Sequence, residues 1–211
     1  MKKFTITDIR KWKPCYDPSR YLAESWQGTA LDILNDKRIP FEDRLWVIMR
    51  TDLVSERLMR RFGVWCARQV QHLMNDERSI QALDVMEAYA ENRWLIDDPD
   101  YAAAWEDERI TARSKAVNAD DTAGVAAWAT TWEVAEDAAF SAARDAVTAA
   151  TDAARCAAWY ATQFKEDKAV RAAAARSAAS AASAARDAAL VKQEQKLREM
   201  LIAGIETGDT K

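Results

Sequence analysis

The residues best able to attack a substrate, move protons or hold a soft metal are the single histidine, His72, and the cysteines Cys15, Cys66 and Cys156. Cys66 and His72 are six positions apart in one helical pattern. That spacing puts them on different faces, so they cannot form a local Cys–His pair. No second His or Cys stands at metal-ligand spacing, so His72 reads as a surface or boundary residue and Cys66 as a core thiol. Acidic clusters occur at Asp97–Asp98–Asp100, Glu106–Asp107–Glu108 and Asp120–Asp121. Each falls where a helix begins or on a polar face, and capping accounts for it without metal. The sequence carries no phosphate loop, dinucleotide fingerprint, zinc-protease motif or nucleophile elbow. The expectation is a protein that is not an enzyme, with no catalytic residues, cofactor or metal.

Arginine is the other chemical resource. Arg57, Arg60, Arg61 and Arg68 form a stripe at helical spacing. A nucleic-acid surface uses such a stripe. The chain is acidic overall, with a net charge of −4, so a solvated face paired with carboxylates is the favoured reading. The charge is uneven: Lys/Arg against Asp/Glu run 14 to 9 over 1–75, 5 to 16 over 76–137 and 11 to 9 over 138–211. Arg57, Arg61, Arg144 and Arg155 are candidate contacts to a phosphate-bearing small molecule of the nucleotide type. The segment KPCYDPSRYL packs two Pro, an Asp and a Ser close together and reads as an ordered turn. It offers Tyr16, Asp17, Arg20 and Tyr21, with Trp26 just beyond, as candidate partner-binding anchors.

The elements that must position these residues are helices, because Ala, Glu, Arg and Lys abound while Gly numbers 5 and Pro 4. Thr7 is placed as the N-cap of a short helix through Trp12. Thr29 opens TALDILND, and Pro40 suits the first turn of a helix whose stripe is Leu45, Trp46, Ile48 and Met49. Ser55 caps SERLMRRFGVWCARQVQHLM, with Leu58, Phe62, Trp65, Cys66, Val70 and Leu73 recurring at helical steps. SIQALDVMEAYAENRW turns Ile80, Leu83, Met86 and Tyr89 inward, and DDPD at 97–100 breaks and restarts the chain. Residues 1–118 thus read as a unit of five or six short helices. Trp94, Trp105, Trp128 and Trp132 are expected to join this unit to the C-terminal part of the chain.

From about Asp120 the texture changes to Ala with interspersed charges. As a single helix, 120–203 would span roughly 125 Å. The polar QFKEDK at 163–168 is placed as a bend that makes residues 119–205 an antiparallel hairpin. The alternative is an uninterrupted helix that pairs in a homodimer. Ala139, Ala143, Ala146, Ala150, Ala154, Ala157 and Ala161 form a seam, with Asp and Arg outward, that lets two helices approach closely. Residues 206–211 are expected to be a disordered tail. No window approaches the ~20 apolar residues of a membrane helix, and no apolar run follows the basic MKKFTITDIRKWK. Three unpaired cysteines suit a cytoplasmic protein.

The run RLWVIMRTDLVSERLMRRFGVWCARQVQHLMNDERSIQALDVMEAYAE and the Ala-rich tract after it resemble an immunity-protein family (the Imm-5-like domain). The matching features span residues 25–190: LW then E-R-L over 45–58, Phe62, Cys66–Ala67, the Asp76–Arg78 turn and Ala82. The opening PCYDPSRYL resembles the phage-borne type. Trp65 and Arg68 depart from the acidic residues usual there. The resemblance implies a protein that blocks a bacterial toxin or defence component by binding it, and it brings no catalytic residues. The reading from composition and spacing is an all-α fold, a compact multi-helix unit followed by a long hairpin. Function stays open between an interaction protein and a protein that sequesters a small nucleotide-type ligand in an Arg-lined pocket.

Overall fold

The computed structural model describes residues 1–93, 98–116, 122–160 and 168–211. A two-residue strand β1 (Phe4–Thr5) leads into α1 (Ile6–Lys11) and pairs antiparallel with β2 (Gln27–Gly28), Phe4 opposite Gly28. Helices α2 (Ala30–Asn35), α3 (Phe41–Ile48), α4 (Glu56–Arg68) and α5 (Glu77–Asn92) come next. Then come α6 (Pro99–Ala116), α7 (Thr122–Thr130), α8 (Ala135–Tyr160) and α9 (Lys168–Thr207). The fold is all-α, ending in a long antiparallel helical hairpin.

Side-chain caps explain most of the starts. Thr29 and Asp32 form a reciprocal capping box on α2, and the Ser55 hydroxyl accepts from the Leu58 N–H at 3.1 Å. The N-cap of α1 is Thr5 rather than Thr7. Thr5 and Asp8 close their own capping box, while β1 holds Thr5 extended. The helix expected to run from Ser55 to Met74 stops at Arg68, and a 3-10 turn at Gln71–Leu73 reverses the chain toward α5. Val70 remains in the core within that reversal, so the apolar spacing continued where the helix did not.

One apolar cluster joins both parts of the chain. It contains Ile33, Leu45, Ile48, Met59, Phe62 and Leu83 together with Ala139, Ala143, Leu197 and Leu201. The hairpin closes within one chain: the Gln193 side-chain amide donates to the Ala143 carbonyl at 2.8 Å. Asp152 shares a groove with Arg186, which fixes the antiparallel sense. The bend assigned to 163–168 falls almost wholly outside the described residues, as do Trp94, Asp97, Asp120, Asp121 and Ala161. The Ala seam is buried at Ala139, Ala143 and Ala146, half-buried at Ala150 and Ala154, and exposed at Ala157. Its buried half faces α4 as well as α9, since a Cβ on Gly63 of α4 would lie 3.2 Å from the Ala139 Cα. Asp145, expected outward, is 9% exposed and receives a bond from the Arg144 Nε at 3.1 Å.

Two further expectations need correction. Residues 206–211 are ordered rather than a loose tail. Ser55 N–H donates to the Asp209 carbonyl at 2.7 Å, Lys211 N–H donates to Leu53 at 2.9 Å, and Asp209 and Thr210 are buried. The basic stripe is not uniformly solvated either. Arg60 is 3% exposed, because its guanidinium is drawn to carbonyls just after α7.

Candidate functional site

The hairpin leaves the helical unit beside α3, and there the surface opens into a groove of about 240 Å³. Phe41 and Leu45 from α3, Phe140 and Val147 from α8 and Leu190 from α9 make its walls. Large side chains from three helices meet against Ala143, which leaves space that a bulkier seam would fill. The rim is polar: Thr148 and Thr151 line it, and Arg186 pairs with Glu42 across the mouth at 2.9 Å. Glu194, next to the groove-lining Gln193, is half-buried and receives bonds from Lys37 and from Arg44, the latter at 3.0 Å. Burial alone would raise the Glu194 carboxyl; the two cations outweigh it and hold it below its ordinary range.

The N-terminal turn borders the start of α3. Burial, then the nearby Asp43 charge, push the Tyr16 hydroxyl above its ordinary range. Burial and Glu42 raise Asp43, with Arg20 acting against them. Tyr16 and Tyr21 stack edge-on at 5.9 Å, and Arg20 lies over the Tyr21 ring at 5.7 Å. Asp17 caps the short turn Pro18–Arg20 by accepting from Ser19 N–H and also faces Arg10 at 3.6 Å. Trp26 is half-buried and packs on Phe4 at 5.3 Å. The same indole covers Gly28 so closely that a Cβ there would lie 2.6 Å from it. Tyr16, Asp17, Arg20 and Tyr21 therefore form one patch beside the groove, while Trp26 packs on the β1–β2 pair.

The four candidate phosphate contacts do not share one cavity. Arg57 and Arg61 both bind Glu91, at 3.0 and 2.7 Å, and Arg57 also faces Asp209 at 4.0 Å. Arg61 lines a groove with Trp65 and Lys196 between α4, α5 and α9. Arg144 stands on the rim of the α3–α8–α9 groove with Asp145 as its partner, and Arg155 pairs with Asp152 at 2.8 Å. Each guanidinium thus already holds a carboxylate.

His72 lines a third, Ala-walled groove with Gln69 and Lys192. Cys66 is wholly buried, and desolvation pushes its thiol well above the ordinary range, which leaves it inert. Among the described residues no group of His, Cys, Asp or Glu is arranged to hold a metal ion, and no helix is long and apolar enough to cross a membrane. Sequence reasoning did not find the groove, because its walls come from positions far apart in the chain. The available signal was Phe140, a large aromatic set among small residues in AAFSAA at 138–143.

No protein-family model, no curated protein and no solved structure matches this chain.

Proposed function

We propose that this chain is a non-catalytic interaction protein of the immunity or counter-defence type. It binds a bacterial toxin or defence component in the cytoplasm and blocks it by occlusion. The observation that carries the reading is the open apolar groove between α3, α8 and α9, whose charged rim is already self-paired. At about 240 Å³ it is smaller than the ~300–1,000 Å³ usual for small-molecule pockets. It fits one or two apolar side chains from a partner, and the Tyr16–Tyr21 patch beside it extends the contact. A nucleotide sequestered by free arginines finds less support, because Arg57, Arg61, Arg144 and Arg155 are paired and dispersed.

The test is capture from a bacterial lysate with the wild-type chain and with Thr148→Arg, an exposed change on the groove rim. The expected result is a one-to-one protein partner held by the wild type and lost by the variant, with helix content unchanged. Stabilisation by a nucleotide panel, with no stoichiometric protein bound, overturns the proposal in favour of ligand sequestration.

A further inference from the structure

A further groove, of about 590 Å³, runs between α5 and α6 on the acidic middle of the chain. Val85 and Ala88 of α5 form one wall. Tyr101, Ala104, Trp105 and Glu108 form the other, at the i, i+3, i+4, i+7 spacing that lines one helix face. Tyr101 and Trp105 meet edge-on at 6.3 Å, and Trp105 is braced from below by Tyr89 at 6.5 Å. Asp84 and Glu108 supply the carboxylates of this groove.

Elsewhere the chain places its own cations over its aromatic rings. Arg50 covers Trp46 at 4.2 Å, Arg60 covers Tyr89 at 5.0 Å, Arg113 covers Trp128 at 5.3 Å and Lys196 lies 5.9 Å from Trp65. Among the described residues no Lys or Arg stands over Tyr101 or Trp105, and Glu108 has no ion-pair partner. Asp84 is shared with Arg68 on one oxygen, and its side chain remains 64% exposed. An open aromatic pair beside carboxylates, in a segment with 5 Lys/Arg against 16 Asp/Glu, is complementary to a cation on an apolar stem.

We propose that the α5–α6 groove binds an arginine or lysine side chain of a basic protein segment. The ring faces of Tyr101 and Trp105 take the cation and its stem, Glu108 and the free oxygen of Asp84 take its N–H groups, and the surrounding acidic field attracts it. The groove is separate from the one between α3, α8 and α9. Its assay needs no lysate partner, so failure here and failure of the proposed function are distinguishable.

The probe is a hexa-arginine peptide titrated calorimetrically into the full chain at about 0.15 M salt, where long-range attraction between exposed charges is screened. The peptide is expected to bind the wild type, with affinity falling about fivefold in Trp105→Leu, the loss of one cation–π contact. Glu108→Lys is expected to weaken it about tenfold, and Glu206→Lys, a reversal at an exposed site on α9, by less than twofold. Tyr101→Leu serves as the second aromatic variant should Trp105→Leu fail to fold. The proposal is overturned if the wild type does not bind the peptide, or if Glu206→Lys weakens it as much as Glu108→Lys, which would mark bulk charge alone.

Discussion

Arg60 of α4 donates from Nη1 to the carbonyl of Trp132 at 3.0 Å and from Nη2 to that of Glu133 at 2.5 Å. A second buried arginine, Arg109 of α6, donates to the Thr131 carbonyl and binds Glu106 through Nε at 2.9 Å. Two cations from separate helices thus satisfy the carbonyls left open where α7 ends, with the helix dipole in their favour. The turn they hold aims α8 across α4. Through it the charged part of the chain determines where the Ala-rich hairpin, and therefore the α3–α8–α9 groove, is placed.

Replacing Arg60 by Met keeps much of its volume but takes the donors from the carbonyls of half-buried Trp132 and exposed Glu133. Arg60→Met is expected to lower unfolding stability by about 1.5–3 kcal/mol, from the loss of hydrogen bonds made by a charged group. Arg61→Met, which removes a half-exposed ion pair with Glu91, is expected to cost under about 1 kcal/mol. Urea midpoints for the two variants decide it; equal values would mean that Arg60 is not holding the turn.

Ala139 is wholly buried, and a Cβ on Gly63 would already lie 3.2 Å from its Cα. A leucine there has no room between α8 and α4, so Ala139→Leu is expected to cost about 1–3 kcal/mol by overpacking. The same substitution at Ala157, on the exposed end of the seam, is expected to be near neutral. Thermal midpoints measured side by side test whether the close approach is confined to the first half of the arm.

Local chemistry was what the sequence displayed best. Ser55 and Thr29 were readable as caps because each acts on an N–H three residues ahead, and the length of the Ala-rich tract with its polar break at 163–168 pointed to the hairpin. Thr5 was hidden because its extended backbone depends on β2, more than twenty residues away. Arg60 carried the same letter and helical spacing as its neighbours Arg57 and Arg61. Only the position of the α7 end, a long-range fact, buries it. The α3–α8–α9 groove was illegible for a related reason, since Phe41, Phe140 and Leu190 are adjacent in no local pattern. The Tyr101–Trp105 pair is the opposite case: four residues apart among acids, it is placed on one face by helix geometry alone.

Acid should reveal the Glu106–Arg109 contact. Hydrogen bonds from Arg109 hold the Glu106 carboxyl below its ordinary range, against burial. Its folded pKa lies below its unfolded one, so its contribution to stability is fully present above about pH 4.5, the unfolded carboxyl range. The contribution is lost as pH falls through the folded value. Glu106→Gln is therefore expected to be less stable than the wild type at pH 7, with the gap narrowing below pH 4.5. Urea unfolding across that range checks the sign, and a gap that widens in acid would contradict it.

Gly63 sits in the middle of α4, where glycine weakens a helix by about 1 kcal/mol relative to alanine. On propensity alone, Gly63→Ala should stabilise the protein. The added Cβ would instead lie 3.2 Å from the Ala139 Cα and 3.5 Å from the Ala138 carbonyl oxygen. These are backbone atoms of a buried helix and cannot swing aside as a long side chain would. Separating α4 from α8 would loosen the packing of Phe62 and Ala143 as well, at about 1–3 kcal/mol for strain of this kind. That outweighs the propensity gain, so the substitution is expected to destabilise by about 1 kcal/mol net. A stabilised Gly63→Ala in urea unfolding would show that α4 and α8 are not in backbone contact at this point.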